Sequence, residues 1–201
     1  VARFPASAGT EGDPISLAKK RSNTYWNRKI IMVSTPTNRG TSRIEAAYEE
    51  TDKRKFFVPC PHCDHEQHLV WANVRWEKDR PETAAYMCDS CGVLWDDNER
   101  NKAVRQGKWV KTGDETGIAG FHINGIYSPW TPLVDAVKEF LSAKKMPETL
   151  RVWTNVYLAE TWDDNQGDGA DDYDVMTRAE PPTPYLDRNI MVLTAGIDTQ
   201  G

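Results

Sequence analysis

The sequence predicts a mixed α/β chain organised around a small metal-stapled ribbon, and three observations carry that expectation. Lys29 to Thr35 is an almost unbroken apolar run closed by Pro36. Four cysteines fall in two pairs, Cys60-Pro-His-Cys63 and Cys88-Asp-Ser-Cys91, between strand-like flanks. Helix-period stretches follow, and a second apolar run occupies Ile190 to Ile197.

The first fifteen residues, rich in Pro, Gly and Ser, read as irregular loop. Lys29–Thr35 has the composition of a strand buried on both faces, as in a parallel sheet. Ser42-Arg-Ile-Glu45 has capping-box spacing and predicts a helix with Ile44, Ala47 and Tyr48 on one face. Residues 29–51 therefore read as strand, loop, helix.

The cysteine pairs are the strongest local signal. Two residues between cysteines let one tight turn place both sulfurs on the same side, and a second such turn completes a tetrahedron. Lys55–Pro59 and Gln67–Trp71 read as strands flanking the first knuckle; Ala84–Met87 and Gly92–Trp95 flank the second. Gly92 supplies the positive φ such a turn needs. Lys78–Thr83 reads as a loop that absorbs the extra length between the pairs. Disulfides need an oxidising compartment, to which no leader sequence points. A thioredoxin-like pair would be one CxxC on a βαβ unit, not two on hairpins. Cys60, Cys63, Cys88 and Cys91 are thus expected to bind one structural zinc, with His62, His65 and His68 as spectators.

Beyond the ribbon, Asp96–Glu99 opens a short helix that Gly107 closes. Phe121–Ile126 alternates like a strand, with His122 in a satisfied core role. Thr131-Pro132 starts a helix burying Leu133, Val134, Val137, Phe140 and Leu141, and Pro147 starts another using Leu150, Trp153, Val156 and Tyr157. Trp162–Asp174 and Pro181–Pro184 read as a linker into the run that ends at Asp198. A carboxylate at a strand's carboxyl end is a common place for a metal ligand, although many strands simply end in Asp.

Charge divides the chain. Residues 1–60 hold eleven Lys or Arg against six Asp or Glu, a net of +5; residues 61–201 hold fourteen against twenty-four, a net of −10. The balance argues against wholesale nucleic-acid binding, though the basic first part can touch phosphate. No apolar run approaches the ~20 residues that span a bilayer. The chain opens on Val and stops just after an apolar run, so it reads as a piece of something longer.

Five stretches in order carry a resemblance. They are Ser34-Thr-Pro-Thr37 with Gly40-Thr-Ser-Arg-Ile-Glu45; Cys60-Pro-His-Cys63; Gly120-Phe-His-Ile-Asn-Gly-Ile-Tyr-Ser-Pro-Trp130; Asn155-Val-Tyr-Leu-Ala-Glu-Thr-Trp162; and Ala195-Gly-Ile-Asp198. Together, from about Phe4 to Gln200, they resemble the large terminase subunit of tailed bacteriophages, of the lambda-type GpA family. The resemblance implies the end of a P-loop-type ATPase sheet, an inserted four-Cys zinc ribbon, a helical linker and the first strand of an RNase H-like nuclease domain. The corresponding segments are 1–54, 55–95, 96–162 with a linker at 163–189, and 190–201.

That family packages double-stranded DNA into capsids using ATP and cuts concatemeric DNA. The resemblance makes this chain the joint between the two activities, with Ser34, Thr35, Pro36 and Thr37 as the ATPase coupling motif. Asp198 becomes a catalytic ligand for Mg or Mn. The implied partners are DNA, the small terminase subunit, the capsid portal and further copies of the protein. The implied place is the infected host's cytoplasm, transiently on the procapsid, with no membrane. No Gly-x-x-x-x-Gly-Lys-[Ser/Thr] loop occurs, and Asp198 stands without its partner acids. The chain alone is therefore expected neither to hydrolyse ATP nor to cut DNA. The alternative is a zinc-ribbon module that binds nucleic acid or protein without motor activity.

Overall fold

Residues 4, 5 and 7–163 are described in this computed structural model. The chain divides into two units, Val1–Gly167 and Asp168–Gly201, and the described residues all belong to the first. The strand expected at 190–197, Asp198 and all of the linker after Asp163 lie outside the described residues.

Helix α1, Pro14–Arg21, begins where Pro14 fixes φ and where the Asp13 carboxylate accepts the Ser16 N–H at 2.9 Å. The run 29–35 is not a strand. It forms no regular element and is largely exposed, with Ile31 83% accessible. An apolar run becomes a strand only where a neighbour takes its N–H and C=O groups, and none of the described strands lies beside it. Helix α2, Arg43–Glu49, forms as expected, but its capping box does not. Ser42 Oγ instead accepts the Thr37 N–H at 3.2 Å, and the Glu45 carboxylate accepts the Gly40 N–H at 3.0 Å.

Strand β1, Arg54–Pro59, leads into the first knuckle and β2, Glu66–His68, leaves it antiparallel, pairing Phe57 with His68. A 3₁₀ turn at Trp71–Asn73 leads to β3, Val74–Glu77. Strand β4, Arg80–Met87, follows directly, so the expected loop at 78–83 is a tight hairpin turned at Asp79 with φ 61°. Strand β5, Leu94–Trp95, leaves the second knuckle and completes the sheet β3-β4-β5.

Helix α3, Asp97–Arg105, has the reciprocal cap that α2 lacks: Asp96 accepts the Glu99 N–H at 2.8 Å and Glu99 accepts the Asp96 N–H at 3.1 Å. Gly107 is required for a close approach, since a Cβ there would lie 2.3 Å from the Phe56 ring. Strand β6, Lys108–Val110, pairs antiparallel with β1, and β7, only Phe121–His122, lies parallel to it. The expected strand stops there because Asn124 accepts the Ile126 N–H and bends the chain into a 3₁₀ turn at Gly125–Tyr127.

Helices α4, Leu133–Ala143, and α5, Pro147–Trp153, pack together. The N-terminus of α4 is capped from outside, the Leu133 N–H donating to the Asp97 carboxylate at 3.2 Å. Helix α5 runs into a π turn at Thr154–Leu158. That turn rotates the register, so Val156 faces solvent while Leu158 is buried, correcting the expected buried Val156. One core joins all these pieces: Val58, Leu69, Val74, Tyr86 and Trp95 from the ribbon, Ala103 from α3, Ile126 and Tyr127 from the turn, Leu133 and Val137 from α4.

Candidate metal centre

The two knuckles share one backbone frame. In the first, the Cys60 N–H donates to the His65 carbonyl at 2.9 Å and its carbonyl accepts the Asp64 N–H at 3.0 Å. In the second, the Cys88 N–H donates to the Val93 carbonyl at 3.0 Å and its carbonyl accepts the Gly92 N–H at 3.1 Å. The residue after the second cysteine is left-handed in both, Asp64 at φ 58° and Gly92 at φ 71°. Each frame turns its two sulfurs to one side. The four Sγ atoms lie within 4.8 Å of one another, Cys60 to Cys91 at 3.8 Å and Cys63 to Cys88 at 3.9 Å. Four thiols at this spacing can hold one metal ion, and an all-sulfur donor set selects a soft or borderline one.

Cys60 and Cys88 are buried, whereas Cys63 and Cys91 reach the surface. Gln67 on β2 joins the knuckles: its Nε2 donates to Cys88 Sγ at 3.3 Å and its Oε1 accepts the Asp89 N–H at 3.1 Å. In the metal-free chain burial raises the Cys88 thiol, but the Cys91 and Ser90 N–H groups and the Gln67 amide outweigh it and pull the pKa down to about 6. The Cys63 thiol is lowered by the His65 N–H, yet burial and the three neighbouring thiols push it up to about 12. The histidines stand outside the cluster. His62 meets Glu99 at 3.1 Å, His65 meets Asp89 at 3.2 Å, and His68 packs on the Phe57 ring.

Beside the ribbon, Pro36–Glu45 forms a strap against the segment 155–163. The Thr37 carbonyl accepts both the Trp162 N–H at 3.0 Å and Asn155 Nδ2 at 3.1 Å. The Arg39 N–H donates to the Trp162 carbonyl at 2.8 Å, and its guanidinium pairs with Asp163 at 2.9 Å. Glu45 accepts the Thr161 hydroxyl at 3.0 Å. Of the expected coupling residues, Thr37 lies in this contact and Pro36 is buried, while the Ser34 hydroxyl donates locally to the Thr35 carbonyl at 2.9 Å.

The stretch 120–130 is a wedge in which Gly120, His122, Asn124, Gly125 and Tyr127 make specific contacts, while Trp130 is exposed. A Cβ on Gly120 would lie 1.9 Å from Thr51 Oγ1, and one on Gly125 would lie 2.4 Å from the Tyr157 ring. His122 Nε2 meets the Ala159 carbonyl at 3.0 Å, the satisfied role expected of it. Asn124 donates to the Leu69 carbonyl at 2.9 Å, and the Tyr127 hydroxyl accepts the Leu69 N–H at 2.7 Å while donating to the Phe56 carbonyl.

Two family models account for most of the chain. Residues 1–109 match the model for the phage terminase large subunit gpA ATPase domain, and residues 118–201 match that for the gpA endonuclease domain. The chain belongs to the gpA family of terminase large subunits. It is similar to the "Terminase, large subunit" of Enterobacteria phage P21, 32% identical over 227 aligned positions, and to that of Escherichia phage lambda, 30% identical over 225. Each alignment takes in all of this chain but 35% of the relative, so the chain spans about a third of their length. No solved structure matches it.

Among the described residues, the two matched segments share one compact unit. Strand β7, from the endonuclease-matched segment, pairs with β1 of the ATPase-matched segment. Asp52 closes that seam: its buried carboxylate accepts the Gly120 N–H at 3.1 Å and Arg54 Nε at 2.9 Å. The Arg54 hydrogen bond, opposed by burial and aided by the Gly120 N–H, holds the Asp52 carboxyl below its ordinary pKa. Gln67, Tyr127 and Asp52 were not legible as important residues. Gln67 carried one usable signal, a polar residue on the inward phase of a strand entering a cysteine knuckle.

Proposed function

We propose that this chain is the joint of a viral DNA-packaging motor, set between an ATPase and a metal-dependent endonuclease that move and cut double-stranded DNA. One observation carries the reading: the strap at 36–45, in the ATPase-matched segment, is hydrogen-bonded to residues 155–163 of the endonuclease-matched segment. A change in the segment before Pro36 reaches Trp162 and Asp163 through two hydrogen bonds, Thr37 to Trp162 and Arg39 to Trp162, and the Arg39–Asp163 ion pair. These two residues open directly onto the remainder of the endonuclease-matched segment. Ser34–Thr37 act as the coupling motif in this reading. The domain map keeps 1–54 with the ATPase, 55–95 as ribbon, 96–162 as the connecting subdomain, 163–189 as linker and 190–201 as the start of the nuclease.

Zinc is the ion we assign to the thiol cluster. A tetrahedron with ~2.3 Å zinc–sulfur bonds has edges of about 3.8 Å, and the two sulfur pairs stand at 3.8 and 3.9 Å. Four protein ligands leave no open position for a substrate, so the ion is structural. ATP and Mg or Mn serve the intact protein, Asp198 being a ligand for the divalent ion. The partners in this reading are DNA, the small terminase subunit, the portal and further copies of the same protein. They meet in the host cytoplasm and on the procapsid, and no described helix is long and apolar enough to cross a membrane. A ribbon module without a motor does not account for two enzymatic family models on one chain.

The test is made in the full-length protein. Asp198→Asn is expected to abolish metal-dependent cutting of duplex DNA while ATP hydrolysis stays near normal, because Asn loses the charge that holds the ion. Asn155→Ala combined with Glu45→Ala leaves both sites intact and is expected to weaken the dependence of cutting on ATP. Unchanged cutting by Asp198→Asn removes the nuclease assignment. Unchanged ATP dependence in the double variant removes the joint.

A further inference from the structure

From Pro14 to Ile44 the chain has no Asp or Glu and seven Lys or Arg, although the whole protein is net −5. Five of these cations, Lys19, Lys20, Arg21, Arg28 and Lys29, sit together on the last turn of α1 and the loop after it, all exposed. Successive turns keep the loop tight: the Ser22 N–H donates to the Lys19 carbonyl, Tyr25 to Ser22 and Arg28 to Tyr25, at 3.2, 3.1 and 3.4 Å. Between the cations stand Trp26, 95% exposed, and Tyr25, 63% exposed, with Ser22, Asn23, Thr24 and Asn27 beside them.

Elsewhere in the described body many exposed cations are compensated, and those that are not, such as Lys78, Arg105 and Lys138, are not gathered in one run without acids. Lys53, Arg80, Lys108 and Lys111 each meet a carboxylate, and Arg39 and Arg43 pair with Asp163 and Asp13. None of the five meets an acid among the described residues. A cluster of uncompensated charge carrying an accessible indole is costly to keep without a partner. Cations and small hydroxyl and amide side chains are the usual donors to phosphate oxygens, and an exposed aromatic ring between them offers a face to an unpaired base.

We propose that residues 19–29 form a nucleic-acid-binding surface, in which Lys19, Lys20, Arg21, Arg28 and Lys29 hold backbone phosphates and Trp26 stacks on a base or packs on a sugar. This deepens the packaging reading and rests on it for the identity of the polymer as the transported DNA. The phosphate chemistry is common to duplex and single strand. The indole separates them, because only a single strand presents a free base face.

Binding of the full 201-residue chain to a short labelled duplex and to a labelled single strand, followed by anisotropy over a salt series, decides the matter. The triple variant Lys19→Gln, Lys20→Gln, Arg21→Gln is expected to bind both more weakly. Its slope of log affinity on log salt should be shallower by about 2 to 3, one phosphate contact being worth about 0.9 on duplex and 0.7 on single strand. A matched control, Arg80→Gln, Lys108→Gln, Lys111→Gln, removes the same charge elsewhere and should leave the slope near the parent's. Trp26→Ala should cost about tenfold on the single strand if a base stacks there, and little on the duplex. Circular dichroism of each variant should match the parent, since the altered side chains are exposed. An unchanged slope in the first triple variant overturns the proposal. So does an equal loss in the control, or binding to phosphatidylserine vesicles with none to either nucleic acid. Because the readout is binding by this chain, a parent protein that fails to package DNA would refute the motor without touching this surface. Loss of the contrast between the two triple variants would refute the surface and leave the motor standing.

Discussion

The ribbon and the seam hold neighbouring parts of one body by opposite means. In the ribbon, four sulfurs from two turns converge on a point, and each turn is specified within six residues, Cys60–His65 and Cys88–Val93. In the seam, one buried carboxylate and one missing Cβ join segments 68 residues apart, Asp52 reaching Gly120. The first arrangement is one that the zinc we assign there would tie together. The second depends on packing and on hydrogen bonds within the chain. Elements that share a core can therefore fail separately, and a perturbation aimed at one region should spare the local geometry of the other.

Metal removal should have the largest effect. Structural zinc contributes on the order of 10 kcal/mol where a site forms only on folding. A strong chelator, or Cys88→Ser, should abolish one equivalent of bound zinc and collapse the near-ultraviolet signal of Tyr86 and Trp95, whose rings lie 5.2 Å apart under the second knuckle. Full retention of that signal without metal would mean that the core, and not the ion, holds the ribbon.

Gly120→Ala attacks the seam instead. The new methyl meets the Thr51 side chain and cannot be housed without moving β7 or the turn that carries Thr51. Overpacking of this kind costs about 1–3 kcal/mol, and the variant should melt earlier while binding zinc stoichiometrically. Acid separates the regions in another way. Since the folded pKa of Asp52 is depressed, its contribution is present above the unfolded value near 3.9 and is lost as pH falls through the folded one. Asp52→Asn should therefore lose less stability than the parent on acidification across that window, as followed by thermal melts.

Gln67→Leu tests the bridge between knuckles. Groups that orient metal ligands are typically worth 10- to 100-fold in affinity. Competition with a chromophoric chelator should show a loss in that range, with the fold kept because a side chain of similar size fills the same buried place.

The same contrast explains what could be read from the sequence. The ribbon was legible because its determinants are local: cysteine spacing, Gly92 and strand-like flanks together leave little choice of geometry. The seam was hidden because nothing near Asp52 announces that its carboxylate serves Gly120. The run 29–35 misled because composition records what a segment would do beside partner strands, and none of the described strands is there. Ser42 and Glu45 matched a capping box but spend their oxygens on Thr37, Gly40 and Thr161. Val156 was misplaced because a π turn adds a residue to the helical repeat, which no 3.6-residue pattern anticipates.

The smallest predicted effect is also the sharpest test of the two knuckles against each other. They share their hydrogen bonds, but the left-handed position after the second cysteine is Gly92 in one and Asp64 in the other. For an L-residue that conformation costs roughly 1–2 kcal/mol, less for Asp, while glycine adopts it freely but loses more chain entropy on folding. The two terms nearly offset, leaving Asp64→Gly about 0.5 kcal/mol more stable if strain dominates. In a chain of this size that raises Tm by about 1–2 °C. Gly92→Ala should move the other way and by more, since alanine has no local hydrogen bond to relieve the strain and nothing within 4 Å would offset it. Both should be measured on the zinc-loaded chain, where the turn is held in its bound geometry. A lower Tm for Asp64→Gly would show that Asp64 is not strained, and that the first knuckle is stabilised by the aspartate at the position where the second uses glycine.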